Sequence, residues 1–356
     1  MTGTKDLAEL ESFVTTVRRN CHISDARHAR SMTMCNYLLE MREFYRWEQG
    51  LPFGTPPPHA DVGAWLTARE ALWEELEGEE FAELPLGEVR CDPFAADEIN
   101  RQLLGHGLLY GAGIGRFGKP HFFLGRLHSE ATRDGVRVLV GDREYARDMS
   151  TIPAALQGDT IVVRREALRQ WLWERAEAWD VKRNAGALQL ALDAYGFGAD
   201  ATAAVERMTE AEAETLVLHE LGEHAAGRQL GPAWEELLCA CRSKRAEVLA
   251  RAVRDNLADC LSTLPTLLAR GVTGSLHFWF ANFDGMRLAL FPRLAAAYAA
   301  WNRADDVAEL ATALAAGREH WRNIAERMLR LLAQRGQEVD AELARLSQDL
   351  DEISLA

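Results

Sequence analysis

Residues 209–227 read TEAEAETLVLHELGEHAAG, and the spacing of their apolar side chains predicts a helix. At about 100° per residue, Leu216, Val217, Leu218, Leu221 and Ala225 fall on one arc. Thr209 and Glu212 have the spacing of a capping box, and Gly227 is placed to stop the helix. Glu220 and His224 project between Leu216 and Val217 and are expected to face inward, while His219 and Glu223 form a second i, i+4 pair just outside that arc. Such polar groups are costly to bury unless they are paired or bound to metal.

The same periodicity recurs on both sides of this segment. Residues 5–18 carry Leu7, Leu10, Phe13, Val14 and Val17, and residues 24–48 carry Met34, Tyr37, Leu38, Met41, Phe44 and Tyr45, which predicts two helices. Ser24 or Asp25 is the expected cap of the second. LPFGTPPPH at 51–59 ends this pair, and Asp61 opens a third helix. From Leu108 the texture changes to turn glycines and β-prone runs, with a hairpin turn at Arg133, Asp134 and Gly135 and a strand in TIVVR at 160–164. Beyond Arg165 the pattern is helical again, with Pro265 and Gly271 closing a helix that begins near Arg242. The expected fold is mainly α with a small antiparallel β-sheet (α+β) and a helical bundle-like core. Four regions follow: helical 1–107, a small β region at 108–164, helical 165–303 with the candidate site, and one extended helix over 304–356.

Composition excludes several functions. A net charge of -14 opposes a phosphate backbone, so no nucleic acid partner is expected. No uncharged apolar run reaches the roughly 18 residues of a membrane span, and MTGTKDLAELESF is acidic where a signal peptide would be basic. The expected compartment is the cytoplasm, with no membrane partner. The six cysteines form no CxxC pair, which disfavours a thiolate zinc site or a thioredoxin-like motif.

The chemistry that remains is carboxylate and imidazole. The zinc-protease motif HExxH fails because Glu223 stands four residues after His219, and the ExxH pair of helical di-metal proteins is absent. A mixed oxygen and nitrogen site fits better: His219, Glu220, Glu223 and His224, with Asp255 and Asp259 from the following helix, holding divalent iron, manganese or zinc. Such a centre would serve an oxidase or oxygenase, or a hydrolase. The alternative is a non-enzymatic interaction or scaffold protein whose acids pair with arginines, since the apolar stripe Val253, Leu257, Leu261, Leu264 and Leu268 lies largely away from Asp255 and Asp259. Glu40 and Glu43 are weaker candidates.

Gly113-Ile-Gly115-Arg-Phe-Gly118 matches GxGxxG, yet it leads into the strand-like His121-Phe122-Phe123-Leu124 and not into a helix. Tight turns are the expected role; a loop over a ligand, with Arg116, Lys119 and His121 as anion contacts, is the alternative. Cys21 and His22 are adjacent in sequence, which does not by itself make a nucleophile pair, and His277 reads as a core histidine.

CHISDARHA, YLLEMREFYRWE, RFGKPHFFLG, HELGEH, RAVRDNLADCLSTLP and LHFWFANFDGMR together resemble a bacterial family of uncharacterised proteins over residues 20–303. The resemblance implies a shared fold and carries no catalytic assignment. At the C-terminal end, Met328, Leu332, Val339, Leu343, Leu346, Leu350 and Ile353 form a narrow apolar seam, broken at Arg335. A homodimer through this helix is expected; packing back onto residues 1–48 is the alternative.

Overall fold

The computed structural model describes residues 2–115, 118–182, 184–304 and 306–356, with side chains from Leu10 onward. The chain forms two compact units, Met1–Glu174 and Arg175–Ala356.

In the N-terminal unit, α1 (Thr2–His28) runs unbroken through the position read as a helix start, and α2 (Met34–Glu48) is capped by Thr33. Ser24 and Asp25 are therefore not caps. They are buried inside α1, where Ser24 Oγ donates to the Pro120 carbonyl. Helix α3 (His59–Leu76) follows, then a hairpin of β1 (Leu84–Leu86) and β2 (Val89–Cys91), and α4 (Ala96–Leu103). The hairpin lies in the region read as helical, because strands of three residues are too short to show a period.

The larger sheet comprises β3 (Leu108–Ile114), β4 (Pro120–Arg133), β5 (Val136–Arg147), β6 (Ala154–Gln157) and β7 (Thr160–Arg164), in the order β3-β4-β5-β7-β6. Asp134 (φ 51°) and Gly135 (φ 83°) make the β4–β5 turn, as their sequence predicts. The sheet is mixed and not purely antiparallel: β7 pairs parallel to β5, because the β6–β7 hairpin returns with β7 innermost. Side-chain alternation is the same for either pairing direction, so the sequence does not carry this difference. Register shifts between Leu124 and Ser129 bend the β4–β5 pair. The sheet curls until Gln157 Nε2 of β6 donates to the Ala112 carbonyl of β3 at 2.9 Å. On one face Tyr110, Phe122, Leu124 and Ala146 pack with Phe13, Val17 and Ile99, and on the other Leu109, Phe123, Leu139 and Val162 form a separate cluster.

The C-terminal unit is helical. After α5 (Arg165–Lys182), which spans the boundary, come α6 (Ala187–Ala194) and α7 (Ala201–Leu230). Asp200 and Gly231 cap α7, so Thr209 is interior, its hydroxyl bonded to the Val205 carbonyl, and Glu212 accepts from the Tyr195 hydroxyl. The capping-box spacing was met by residues that do other work. Helices α8 (Ala233–Ala240) and α9 (Lys244–Ala258) follow, and α9 passes through a π turn at Asp259–Thr263 into α10 (Leu264–Arg270). Gly271 (φ 64°) ends that run, whereas Pro265 sits in the first turn of α10 and does not close it. Helices α11 (Thr273–Ala281), α12 (Gly285–Leu290) and α13 (Pro292–Ala304) complete the middle of the unit. His277 is a core histidine, bonded to the Tyr298 hydroxyl at 2.9 Å and stacked on Trp301.

The extended helix predicted for 304–356 is broken. Helix α14 (Ala308–Arg335) stops at Gly336, whose φ of 54° favours glycine, and α15 (Val339–Leu346) packs on α8 and α9. Met328, Val339, Leu343, Leu346 and Ile353 are buried in the same core as Val253 and Leu257. The seam is thus filled within its own unit, where α14 and α15 pack on each other and on α8 and α9. No helix among the described residues is long and apolar enough to cross a membrane.

Leu343→Ala is expected to cost about 3 kcal/mol, the usual range for a buried leucine truncation, measured by denaturant unfolding. A loss below about 1 kcal/mol would place α15 outside the core.

Candidate metal centre

Helices α7 and α9 touch backbone to side at one glycine. A Cβ on Gly222 would lie 2.3 Å from the Ala258 carbonyl oxygen, so only glycine lets the helices approach this closely. His219 and Glu223 flank Gly222 on α7, and Asp255 and Asp259 flank Ala258 on the facing helix and its π turn. The close approach brings these four side chains together. One ligand atom each from His219, Glu223 and Asp255 fall within 4.8 Å of one another.

Asp259 orients the imidazole. His219 Nδ1 lies 2.9 Å from Asp259 Oδ1, which also accepts from Trp279 Nε1 at 3.3 Å. The Arg287 guanidinium donates to Asp259 Oδ2 and stacks over the Trp279 ring. Nδ1 is taken by the Asp259 carboxylate, so Nε2, which faces Glu223 Oε1 at 3.6 Å, is the nitrogen whose lone pair becomes available once the ring gives up a proton. Arg254 donates to Glu223 Oε1 at 2.8 Å and approaches Asp255 Oδ1 at 3.8 Å.

Burial and mutual charge set the protonation of the group. Burial would lower the His219 pKa, but Asp259 and then Glu223 outweigh it and hold the imidazole well above its ordinary value. Burial pushes Glu220 up to about 7 and, reinforced by Glu223, Asp255 up to about 6. Glu223 goes the other way: burial opposes, yet the His219 hydrogen bond and charge, with Arg254, bring it down to about 2. Asp259 is lowered likewise, with Arg287 and His219 overcoming its burial.

Of the residues predicted from sequence, His219, Glu223, Asp255 and Asp259 converge. Glu220 is buried beside them, and His224 is half-buried and stands outside the three-ligand group. Glu220 is inward as expected, His224 is only half-buried, and the pair expected just outside the arc, His219 and Glu223, is covered as well because α9 lies on that flank of α7. Helix α9 is buried on both sides, against α7 on one and α12, α14 and α15 on the other, so its apolar stripe and its aspartates both face protein. Gly222, Arg254, Trp279 and Arg287 were not singled out from sequence; the glycine within HELGEH and the arginine next to Asp255 in RAVRD are local signals of the first two.

Of the anion contacts offered as the alternative role of the 113–121 segment, Lys119 is already paired within the protein. Lys119 Nζ donates to Asp25 Oδ1 at 2.8 Å, Asp148 Oδ1 at 3.3 Å and Ser150 Oγ at 2.9 Å, so its charge is already matched. Arg116 lies outside the described residues. His121 bonds Asp148 through Nδ1. Cys21 and His22 do not form a pair: the thiol donates to the Phe122 carbonyl, whereas the imidazole meets Arg69 at 3.1 Å.

Residues 12–164 match the N-terminal domain, and residues 169–349 the C-terminal domain, of a family of unknown function, DUF6866. No curated protein and no solved structure matches the chain.

Gly222→Ala is expected to destabilise the C-terminal unit by about 2 kcal/mol through overpacking, as read by denaturant unfolding; a neutral substitution would contradict the close helix contact. In the N-terminal unit, burial and then Arg69 depress the His22 pKa to about 4. The unfolded chain titrates near 6.5 and so binds more protons between these values, and stability falls as pH drops through that window. His22→Gln should reduce the loss between pH 7 and pH 4.5 in unfolding experiments, and an identical loss in both proteins would remove His22 as its source.

Proposed function

Because the chain belongs to the DUF6866 family, whose function is unknown, its activity has to be read from its own residues, and we propose that its C-terminal unit is a divalent-metal centre with enzymatic chemistry. The observation that carries this reading is the Asp259–His219 hydrogen bond at 2.9 Å, which turns Nε2 toward Glu223 and Asp255. A carboxylate behind a histidine ligand is the arrangement that fixes tautomer and ring direction at metal sites. The ligands would be His219 Nε2 and one oxygen each of Glu223 and Asp255, a mixed set suited to iron, manganese or zinc. Three protein ligands leave coordination positions for water or substrate.

A bound ion would supply Lewis acidity toward water or a substrate oxygen or, as iron or manganese, electrons for oxidase or oxygenase chemistry. The protein's part is to hold the ligands through Asp259 and Arg254, and to offer Glu220, buried beside the group, as a proton acceptor. A second reading is favoured by one contact: Arg254 on Glu223 at 2.8 Å makes a complete ion pair, as an interaction or scaffold protein would use.

Elemental analysis after incubation with Fe(II), Mn(II) or Zn(II) separates the two. The wild type is expected to retain close to one equivalent of one metal, and His219→Ala and Asp255→Asn to lose it with their helical circular dichroism intact. A wild type that retains no metal above a control protein overturns the metal reading and leaves the ion pairs.

A further inference from the structure

The N-terminal unit carries its own constellation, built on glycines at alternate positions of β3 and the residue that follows it. Gly111, Gly113 and Gly115 share one face of the strand. A Cβ at these positions would lie 2.0 Å from the Phe123 ring, 2.7 Å from Gln157 Nε2 and 2.4 Å from His121 Nε2. The glycines clear the strand so that these three side chains lie across it. Together with the curl closed by Gln157 on the Ala112 carbonyl, they bound a cavity of about 310 Å³ inside the sheet.

One imidazole is held at that cavity in a defined direction. His121 Nδ1 lies 3.2 Å from Asp148 Oδ1. Asp148 is itself fixed by the backbone N–H groups of Phe122 (3.3 Å) and Ser150 (3.0 Å) and by the Lys119 ammonium. Burial would raise the Asp148 pKa, but Lys119 and His121 overcome it and keep the carboxyl ionised, hence an acceptor. The network assigns the proton to Nδ1 and the lone pair to Nε2. Among the described residues Nε2 has no hydrogen-bond partner, and it sits beside Gly115 at the cavity wall.

The rest of the lining decides the ligand. Arg164 turns the Nε–Nη2 edge of its guanidinium onto Glu144, at 2.7 and 2.9 Å, and Nη1 donates to the Ile152 carbonyl at 3.4 Å, so it offers no unmatched charge to an anion. Lys119 is spent between Asp25 and Asp148. Ile114, Leu156 and Val162 make the walls mostly apolar. At about 30 Å³ per water, the space takes about ten water-sized groups.

We propose that this cavity binds a small neutral, largely apolar molecule carrying one hydroxyl group, such as a fused-ring phenol, whose O–H donates to His121 Nε2. The ligand is held as in other small-molecule pockets, by apolar walls for affinity and one directed polar group for orientation. The site is independent of the metal centre and stands or falls separately from it.

The test is a titration of the full chain, labelled with ¹⁵N-histidine, with 1-naphthol, naphthalene and 1-naphthoate. The expected result is a saturable shift of the His121 Nε2 resonance with 1-naphthol, and at least ten-fold weaker binding of the other two. His121→Phe keeps the walls and removes the acceptor, so it should lower 1-naphthol binding to the naphthalene level; if that variant does not fold, the wild-type titration decides alone. Absence of a saturable shift overturns the proposal, as does equal affinity for naphthalene. Tighter binding of 1-naphthoate overturns it in favour of an anion site.

Discussion

Gly222 allows α7 to rest directly on the backbone of Ala258, and the C-terminal unit is organised around that contact. Any side chain there would separate the two helices, and with them His219 and Glu223 from Asp255 and Asp259. The same contact makes α9 the central helix, covered by α7 on one side and by α12, α14 and α15 on the other. A helix in that position normally reads as apolar all round. Here it carries charge on one side, and the unit tolerates it because each acid meets an arginine, an imidazole or an indole N–H.

The two units solve the problem of a buried histidine in the same way. His219 bonds Asp259, which Arg287 holds; His121 bonds Asp148, which Lys119 holds. In each case a buried carboxylate, neutralised from behind, fixes the ring and leaves Nε2 pointing forward. What lies in front differs. Two carboxyl groups face His219 Nε2, an environment that attracts a cation, whereas apolar walls and glycines face His121 Nε2, an environment that rejects charge.

Local chemistry was legible in the sequence wherever one residue type has one physical use. Asp134-Gly135 makes its turn because both positions need positive φ, TIVVR is a strand as its β-branched residues require, and the segment around HELGEH is helical. The failures share a cause: they depend on what packs against the segment. Thr209 and Glu212 mimic a cap inside a continuous helix, and Asp25 mimics one while serving as the counter-ion of Lys119, 94 residues away. The π turn at Asp259, the parallel β5–β7 pairing and the fold-back at Gly336 are likewise tertiary outcomes. For the candidate centre, the four residues that converge were all named from sequence; Glu220 is inward as read, but the cover over His219 and Glu223 was not foreseen. Periodicity locates the apolar arc and cannot say which flank a second helix will cover.

Arg254 is the residue on which the two readings of the C-terminal unit turn. Its hydrogen bond to Glu223 Oε1 looks like competition for a metal, since a guanidinium and a divalent ion both seek carboxylate oxygen. Each carboxylate oxygen has two lone-pair directions, however, so Glu223 Oε1, which accepts from Arg254 and also faces His219 Nε2 at 3.6 Å, can turn one toward arginine and the other toward a cation. In that arrangement Arg254 does for Glu223 what Asp259 does for His219: it fixes the orientation of a ligand from behind. It also moderates the repulsion among Glu220, Glu223 and Asp255, which would otherwise favour protonated acids that bind metal poorly. A guanidinium beside the ligand set is therefore compatible with a cation in front of it, because the charge it brings lowers the pKa of each of these acids.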